Sequence, residues 1–447
     1  MFYLSVNRCL DGDGERIKRG QCIVKLRLDW LIRRRLIYVA GLIVIVVAAS
    51  LVILHENGFF VPNPPPPTLA HVVWQNTLEH SAYELAVGDG RVFTFDSDLV
   101  NAFDAESGRL LWRVEQGNYF GRGLIVSGGG VYVGHSGAKV VCLDEVTGTF
   151  QWIFQAPYNS GLFAKRAPAY LAVVDGRVFA VGDGLAVHSA YTGQLLWEYA
   201  DRSGYANLTD KPNEVNVWPL EGDRVYGTAG YGGSGAFLCS FDAYNGTILW
   251  RTPVYLWPSG EPLAYQEHVI FPHGNGRDQT GVFSFDSSSG EHVWSFNINE
   301  TSIQQPVIKN DLLLFGASDG RFYNVNPENG TLNWNTTLDS REGKWTEPQI
   351  FNNQIFVGYQ DTIYNLDANT GQLLWNWSTP NSKPITGLAI SSLSNLLYAT
   401  WEQNLQTFSA ADCSPQWSQY FEHYVRAPIA AYNKVYIAGD GYMIAYE

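Results

Sequence analysis

Histidine side chains are the first candidates for catalysis or metal binding, and their spacing in this sequence favours neither. No His-Glu-x-x-His pattern places two of them on one helix face, as a zinc site of that kind needs. The scattered set comprises His135, His188, His268, His273, His292 and His423. His268 and His273, near Arg277 and Asp278, form the best pair, but we favour an ordinary polar loop there. We therefore predict no catalytic residue and no metal ligand.

Cysteines and glycine runs also lack the context that their chemistry needs. Cys142, Cys239 and Cys413 are isolated from one another, which favours buried thiols over a disulfide framework. Gly128-Gly129-Gly130 and Gly232-Gly233 fall between strand-like runs and not before a helix, so they indicate turns and not phosphate-binding loops.

A short phrase repeats along the chain and sets its architecture. Asp or a substitute is followed by a Gly four residues later, and then by a Trp after three more residues. The copies are DAESGRLLW (104–112), DEVTGTFQW (144–152), HSAYTGQLLW (188–197), DAYNGTILW (242–250), DSSSGEHVW (286–294), NPENGTLNW (326–334), DANTGQLLW (367–375) and the decayed SAADCSPQW (409–417). A period of this length is typical of propellers and other repeat folds.

Each repeat predicts four short strands. Two alternating runs before the phrase supply strands B and C, and the Leu-Leu-Trp segment supplies strand D. Strand A is expected to start after a proline that precedes strand B. These prolines are Pro168, Pro219, Pro262, Pro306, Pro348, Pro384 and Pro428. Four-stranded antiparallel sheets arranged radially give an all-β propeller, which protects strand edges that a lone sheet would expose.

The two ends of the body are predicted to close the ring. The last segment, 427–447, has strands A, B and C but no D, and HVVWQNTL (71–78) is a D strand without a blade of its own. Pairing them completes a composite blade. Nine Trp-bearing D strands over the 377 residues from His71 to Glu447 give about 42 residues for each blade.

The Asp-x-x-Thr-Gly-x-x-x-Trp phrase resembles the pyrroloquinoline quinone (PQQ) type propeller repeat. That repeat is found in quinoprotein alcohol dehydrogenases and in a subunit of the outer-membrane assembly machinery. The resemblance covers residues 71–447. Members usually have eight blades, so eight is the family's expectation and nine is the count from the repeats. By this resemblance the D-strand tryptophans dock adjacent blades: Trp74, Trp112, Trp152, Trp197, Trp250, Trp294, Trp334, Trp375 and Trp417.

The resemblance also brings a cofactor question. Quinoprotein dehydrogenases hold PQQ at the hub, with calcium bound by Glu and Asn, an Asp base and a disulfide between adjacent cysteines. This sequence has no adjacent cysteine pair and no Cys-x-x-Cys-His for haem attachment. We therefore predict no cofactor, with PQQ and calcium unsupported by the residues, and a protein more suited to binding than to catalysis.

Recognition is predicted where the repeat is broken. Residues 199–221 form an insertion, because Trp197 and Trp250 are 53 residues apart. By resemblance, the positions before strand A surround one mouth of the central channel, and their side chains suit a protein partner. This set comprises Arg122, Lys165, Arg166, Trp218, Glu261, Gln304, Gln305, Trp345, Glu347, Lys383 and Arg426. A hydrated funnel without a specific ligand remains the alternative.

The N-terminal region predicts a membrane anchor. Residues 1–35 form a basic tail, residues 36–54 carry no charge, residues 55–70 form a proline-rich linker, and residues 71–447 form the propeller. Nineteen helical residues span about 28 Å, close to the hydrocarbon thickness of a bilayer. Arg33-Arg34-Arg35 before this segment place the N-terminus in the cytoplasm and the propeller outside. A cleaved signal peptide is the alternative.

Two further features bear on the environment of the propeller. Six glycosylation sequons follow the apolar segment, and they start at Asn207, Asn245, Asn299, Asn329, Asn335 and Asn376. The chain has a net charge of −14, and residues 1–38 alone carry +5, so the rest is at −19. An acidic body is poorly suited to nucleic acid.

We therefore expect a membrane-anchored, extracytoplasmic propeller that binds envelope or secreted proteins as a scaffold. A quinoprotein-like enzyme and a sugar or small-ligand sensor at the central channel are the alternatives.

Overall fold

Each repeat forms short strands joined by tight turns, and in the blades built from consecutive strands these are three to eight residues long. Strands B and C are buried over most of their length, as in Arg91–Phe95, whereas strand D has buried and exposed positions along it, as in Leu110–Glu115. A computed structural model describes residues 72–447 apart from 83, 96–97, 116–120, 136–138, 156–169, 182–183, 201–213, 220–222, 232–234, 255–259, 274–279, 300–301 and 392. Residues Leu69–Glu447 form one compact unit. Residues 1–71, with the predicted tail, apolar segment and linker, lie outside the described residues.

The described strands form eight four-stranded antiparallel sheets, each in sequence order, and one composite sheet. Blades 1 to 4 are β2 (Glu84–Gly88), β3 (Arg91–Phe95), β4 (Leu99–Asp104), β5 (Leu110–Glu115); β6 (Gly121–Ser127), β7 (Gly130–His135), β8 (Lys139–Asp144), β9 (Phe150–Gln155); β10 (Tyr170–Val174), β11 (Arg177–Val181), β12 (Gly184–Ser189), β13 (Leu195–Ala200); and β14 (Glu214–Pro219), β15 (Arg224–Tyr231), β16 (Gly235–Asp242), β17 (Ile248–Val254).

Blades 5 to 8 continue the same order. They are β18 (Leu263–Tyr265), β19 (His268–His273), β20 (Thr280–Asp286), β21 (His292–Ile298); β22 (Val307–Lys309), β23 (Leu312–Gly316), β24 (Arg321–Val325), β25 (Leu332–Thr337); β26 (Gln349–Phe351), β27 (Gln354–Tyr359), β28 (Thr362–Asp367), β29 (Leu373–Ser378); and β30 (Gly387–Ser391), β31 (Leu396–Trp401), β32 (Asn404–Ser409), β33 (Pro415–Tyr420). A single 3-10 turn, Pro380–Ser382, precedes blade 8.

The ninth blade joins the two ends of the ring, as the sequence predicts. It contains β34 (Ile429–Ala431), β35 (Lys434–Tyr446) and β1 (Val72–Ser81). The first part of β35 pairs with β34 and its second part pairs with β1, so this long strand takes the places of strands B and C. Lys434 Nζ also lies 2.6 Å from Glu106 Oε2 in blade 1. The repeat count of nine is therefore confirmed.

One predicted strand start is wrong. Pro219 ends strand A of blade 4, where it pairs with Val225, and does not precede that strand. Proline lacks the N–H that a ladder uses, so it is tolerated at either end of a strand and does not by itself mark a start. Strand A of this blade therefore comes from within the predicted insertion 199–221, of which 201–213 lie outside the described residues.

The repeated phrase fixes how each blade contacts the next. The Asp carboxylate accepts backbone N–H groups two and three residues later; in the second copy, Asp144 Oδ1 lies 2.8 Å from Thr147 N. The Gly adopts a positive φ, +74° at Gly246. Against this Gly lies the Trp of the preceding blade, and Trp197 Nε1 donates to Ala243 O at 3.0 Å. Nε1 of Trp74, Trp112, Trp152, Trp250 and Trp334 donates in the same way across its junction. Nε1 of Trp294 has no hydrogen-bond partner among the described residues, so ring packing against the Gly is the contact that these junctions share.

Candidate functional site

Antiparallel strand order divides the propeller into two faces. The connections into strand A and the B–C turns lie on one face, the mouth face, while the A–B and C–D turns lie on the other, the motif face. The predicted binding residues belong to the connections into strand A, which lie on the mouth face. The connections into blades 5, 6 and 7 are joined to one another by side-chain hydrogen bonds.

Two glutamine side chains clamp three successive connections together. Gln305 accepts from Glu261 N at 2.7 Å and donates to Glu261 O at 2.8 Å, joining blade 6 to blade 5. Gln304 accepts from Trp345 N at 2.7 Å and donates to Trp345 O at 2.6 Å, joining blade 6 to blade 7. Each glutamine amide therefore pairs with a backbone N–H and C=O of the neighbouring connection, as another peptide group would. These bonds hold the connections together and use one donor and one acceptor of each amide.

Trp345 is a packing residue and not an exposed rim residue. Its side chain is 6% exposed, its ring stacks on Tyr359 with centroids 4.1 Å apart, and Nε1 donates to Ala317 O at 3.0 Å. Gly316 leaves room for the ring, because a Cβ there would overlap it. Ile303 and Val425 occupy the same position four residues before strand A and form the same isolated bridge to strand B. The position is thus a repeated apolar plug.

The charged residues of the mouth face are exposed and mostly paired. Glu347 lies 2.7 Å from Lys309 Nζ, and Lys383 Nζ lies 2.9 Å from Glu402 Oε1. The Glu402 carboxylate raises the pKa of Lys383. Arg426 has an exposed side chain and donates its backbone N–H to Ala438 O at 2.8 Å. These residues form a surface of mixed charge.

Sequence reasoning missed one charge cluster on this face. Arg341 Nη2 lies 2.6 Å from both Asp339 Oδ2 and Asp361 Oδ1, joining the connection into blade 7 to that blade's own B–C turn. The guanidinium lowers the pKa of both carboxyl groups. Tyr359 also donates to Arg341 O. The signal in the sequence was the Asp339-x-Arg341 pattern, which places opposite charges two residues apart in this connection.

Four of the predicted mouth residues are not described at side-chain level. Arg166 and its neighbour Lys165 lie outside the described residues, while Arg122 in β6 and Trp218 in β14 are described as strand positions only. Trp218 therefore lies within strand A and not before it. The structure brings Glu261, Gln305, Glu347, Lys383 and Arg426 to connections on the same face.

The histidine pair does not assemble a reactive centre. His268 Nδ1 lies 3.0 Å from Ser284 Oγ. His273 is buried and stacks on Phe283, and burial lowers its pKa to about 4, so it stays neutral near pH 7. Arg277 and Asp278 lie outside the described residues. No group of three His, Cys, Asp or Glu suited to a metal is present among the residues that the structure describes.

The cysteines likewise do not fit a quinone cofactor site. Cys142, Cys239 and Cys413 are free, buried and located in blades 2, 4 and 8. Burial raises the pKa of Cys142 to about 12 and of Cys239 to about 11, which makes both thiols inert. The described residues therefore lack the adjacent cysteine pair expected beside PQQ, and no reaction step through that cofactor is derived.

The described glycosylation candidates are exposed. Asn245 and Asn329 lie in C–D turns, where each side chain accepts a backbone N–H two residues later, and Asn335 and Asn376 lie on D strands. Asn299 is exposed beyond β21, and Asn207 lies outside the described residues. In the described part of the chain, none of the helices has the length and apolar character needed to span a membrane.

The fold and its repeated junctions define a propeller of the PQQ repeat class. The profile of the family described as outer membrane protein assembly factor BamB matches residues 70–270 and 215–358, and the chain belongs to that family. The chain is 23% identical over 272 residues to outer membrane protein assembly factor BamB of Yersinia pestis, covering 60% of this chain and 66%, just under two thirds, of that protein.

Two other similarities delimit the class. Quinohemoprotein alcohol dehydrogenase ADH-IIG of Pseudomonas putida is 23% identical over 299 residues, which cover 66% of this chain but 32% of that protein. The crystal structure of BamB from Moraxella catarrhalis has a TM-score of 0.53 at 15% identity and covers 85% of this chain and 99% of that one. The structural match establishes the shared fold, whereas function has to be argued from the residues of the site.

Proposed function

We propose that this protein is a scaffold of the cell envelope that binds other envelope proteins through the mouth face of its propeller. Membership of the BamB family supports an envelope role. The observation that carries the proposal is the clamped mouth face, in which Gln304 and Gln305 fix three neighbouring connections by four hydrogen bonds. A surface held in one conformation loses little conformational entropy when a partner binds, which favours specific association.

The charge pattern suits a protein partner. Glu347, Lys383 and Arg426 place both signs of charge on exposed positions of neighbouring connections. Alternating charges of this kind fix the orientation of a partner more than they raise affinity. Trp345 is excluded from the contact surface, because its ring is buried in the propeller.

We also propose that residues 36–54 anchor the chain, with the propeller outside the cytoplasm. The support is the sequence alone: 19 residues without charge that follow three arginines. Sodium carbonate extraction of native membranes tests this part. An anchored chain stays in the membrane pellet, whereas a cleaved chain is released and begins after the apolar segment.

Site-specific crosslinking tests the scaffold role. A photoreactive amino acid replaces Glu347 or Arg426, which are exposed and take no part in the glutamine clamp, in the full-length protein in its native envelope. A control carries it at Asn376 on an outer strand. We expect the two mouth positions to capture the same envelope protein and the control to capture none. Equal capture at all three positions, or capture at none, contradicts the proposal.

The alternatives have different readouts. A quinoprotein-like enzyme requires quinone absorbance after reconstitution with PQQ and calcium, and a channel sensor requires saturable thermal stabilisation by glycans or another small ligand. Either result together with the absence of protein adducts at the mouth would replace the scaffold role.

A further inference from the structure

Three adjacent blades carry large apolar side chains at one exposed position of the motif face. The position lies two residues after the Asp of each C–D turn. Val146, Tyr191 and Tyr244 occupy it in blades 2, 3 and 4, with 58%, 75% and 58% of each residue exposed. In the remaining copies this position is small or polar: Glu106, Ser288, Glu328, Asn369 and Ala411. We call the three apolar residues the motif-face arc.

The two tyrosine rings are held in place and are not loose surface groups. Tyr191 lies against Gly176 in the A–B turn of its own blade, where a Cβ would come within 2.7 Å of the ring. Tyr244 lies under the Arg177 guanidinium of blade 3, whose carbon is 3.8 Å from the ring centroid. Arg177 is itself fixed by a 3.0 Å bond to Asp175 O. Rings positioned in this way need little ordering when a partner binds.

Bare backbone and acidic groups surround the arc. Gly128 and Gly129 form the A–B turn of blade 2 with open space where side chains would stand. Asp144, Asp175, Asp223 and Asp242 lie in the turns of these blades, and turn hydrogen bonds lower the pKa of Asp144, so it stays ionised. The described basic groups in the same turns, Arg177 and Arg224, are already engaged, since Arg224 lies 3.7 Å from Asp223.

We infer that the motif-face arc binds a basic, aliphatic segment of a partner protein. Arg177 over Tyr244 shows within this chain how a tyrosine ring binds a guanidinium. Because Arg177 already covers Tyr244, the exposed Tyr191 ring is the one that receives the partner's cation, and the surrounding carboxylates favour the same sign of charge. Val146 supplies an apolar contact beside the rings. The acidic surroundings disfavour anionic lipid headgroups. The inference rests on the proposed scaffold role and adds a second contact surface on the face opposite the mouth.

A peptide probe tests the recognition chemistry. A fluorescent 12-residue peptide of alternating Arg and Leu, and a matched peptide of alternating Glu and Leu, are titrated into the full-length protein while anisotropy is followed. We expect the basic peptide to bind and the Tyr191→Ser/Tyr244→Ser variant to bind it about tenfold more weakly, because Tyr191 no longer offers a ring to a cation and Tyr244 no longer offers apolar surface. The matched control is Tyr420→Ser, a 66% exposed tyrosine on blade 8, which should leave the affinity unchanged.

A single substitution that introduces a positive charge tests the inference if the double variant folds poorly. Tyr191→Lys changes one highly exposed side chain, and it should abolish the preference for the basic peptide. Equal affinity of wild type and both arc variants for that peptide overturns the inference, because it means that the general negative charge and not the arc attracts it.

Crosslinking in the native envelope identifies the occupant. A photoreactive residue at Val146 should link to a protein segment that contains several Lys or Arg next to aliphatic residues, and the Tyr191→Ser/Tyr244→Ser change should remove the adduct. An adduct with a glycan, with a second copy of this chain or with an acidic segment overturns the inference, as does no adduct. Protein adducts at Glu347 without any at Val146 would refute the arc alone; failure at both refutes the scaffold role too.

Discussion

Substituting Gly246 by Ala tests the physical basis of blade docking. Gly246 has a φ of +74°, and a Cβ built on it would lie 2.6 Å from Trp197 Cε3 and 2.8 Å from Cδ2. Two costs should therefore add: about 1–2 kcal/mol for a left-handed backbone with a side chain, and about 1–3 kcal/mol for forcing the buried ring away. We expect the free energy of unfolding to fall by about 2–5 kcal/mol.

The chain provides a matched control for the backbone cost. Gly90 has nearly the same φ, +73°, but no atom lies within 4 Å of its Cβ position. Gly90→Ala should therefore cost only the backbone part, about 1–2 kcal/mol. Urea unfolding followed by tryptophan fluorescence gives both values, and the difference between them measures the contact with the ring.

A double-mutant cycle then assigns the contact to its partner. Trp197→Ala alone should cost about 3–5 kcal/mol, since its side chain is buried. In that background Gly246→Ala should cost no more than Gly90→Ala does, because the ring is gone. If Gly246→Ala and Gly90→Ala cost the same in the wild-type background, glycine is required at this position by backbone conformation alone, and the docking argument is refuted.

Two further predictions concern titratable groups. Cys142 and Cys239 should resist thiol reagents at pH 8 in the folded protein and react after unfolding in urea, as read by peptide mass spectrometry; rapid native labelling would contradict their burial. Hydrogen bonds from Ser288 and Ser289 lower the pKa of Asp286 from 3.8 to about 2, so its stabilising effect is present above pH 4 and lost towards pH 2. The urea midpoint of Asp286→Asn should therefore lie below that of wild type at pH 7 and approach it at pH 2, and a gap independent of pH would exclude this cause.

The blade pattern could be predicted because its causes are local and repeated. The Asp–Gly turn and the Trp four residues beyond the Gly are short-range features, and their period predicts the count of nine blades and the closure by β1. The prediction that strand A of blade 4 starts after Pro219 was wrong because proline is compatible with both ends of a strand. The repeated signals of neighbouring blades could have corrected it, since only four residues separate Pro219 from β15.

The mouth residues could not be sorted by sequence because their roles depend on the adjacent blade. Trp345 was predicted to lie on the binding rim, yet it occupies the same position before strand A as Ile303 and Val425, and all three form the same bridge to strand B. What permits the larger ring is Gly316 on the neighbouring blade, 29 residues earlier in the chain. Likewise the Gln305 side chain is hydrogen-bonded to the backbone of Glu261, 44 residues earlier in the chain.

The motif-face arc, unlike the mouth residues, can be recognised by aligning the repeats, because the alignment shows which side chains the turn does not require. Glutamate, serine, asparagine and alanine all stand two residues after the Asp in other blades, and those turns still form. Turn geometry and blade docking therefore do not require an aromatic ring at Tyr191, which keeps 75% of its surface in solvent. Exposure of such a residue costs solubility and contributes little to stability. Contact with another molecule explains why Val146, Tyr191 and Tyr244 are grouped on three adjacent blades. Trp345, which the sequence analysis placed on the binding rim, is explained by packing.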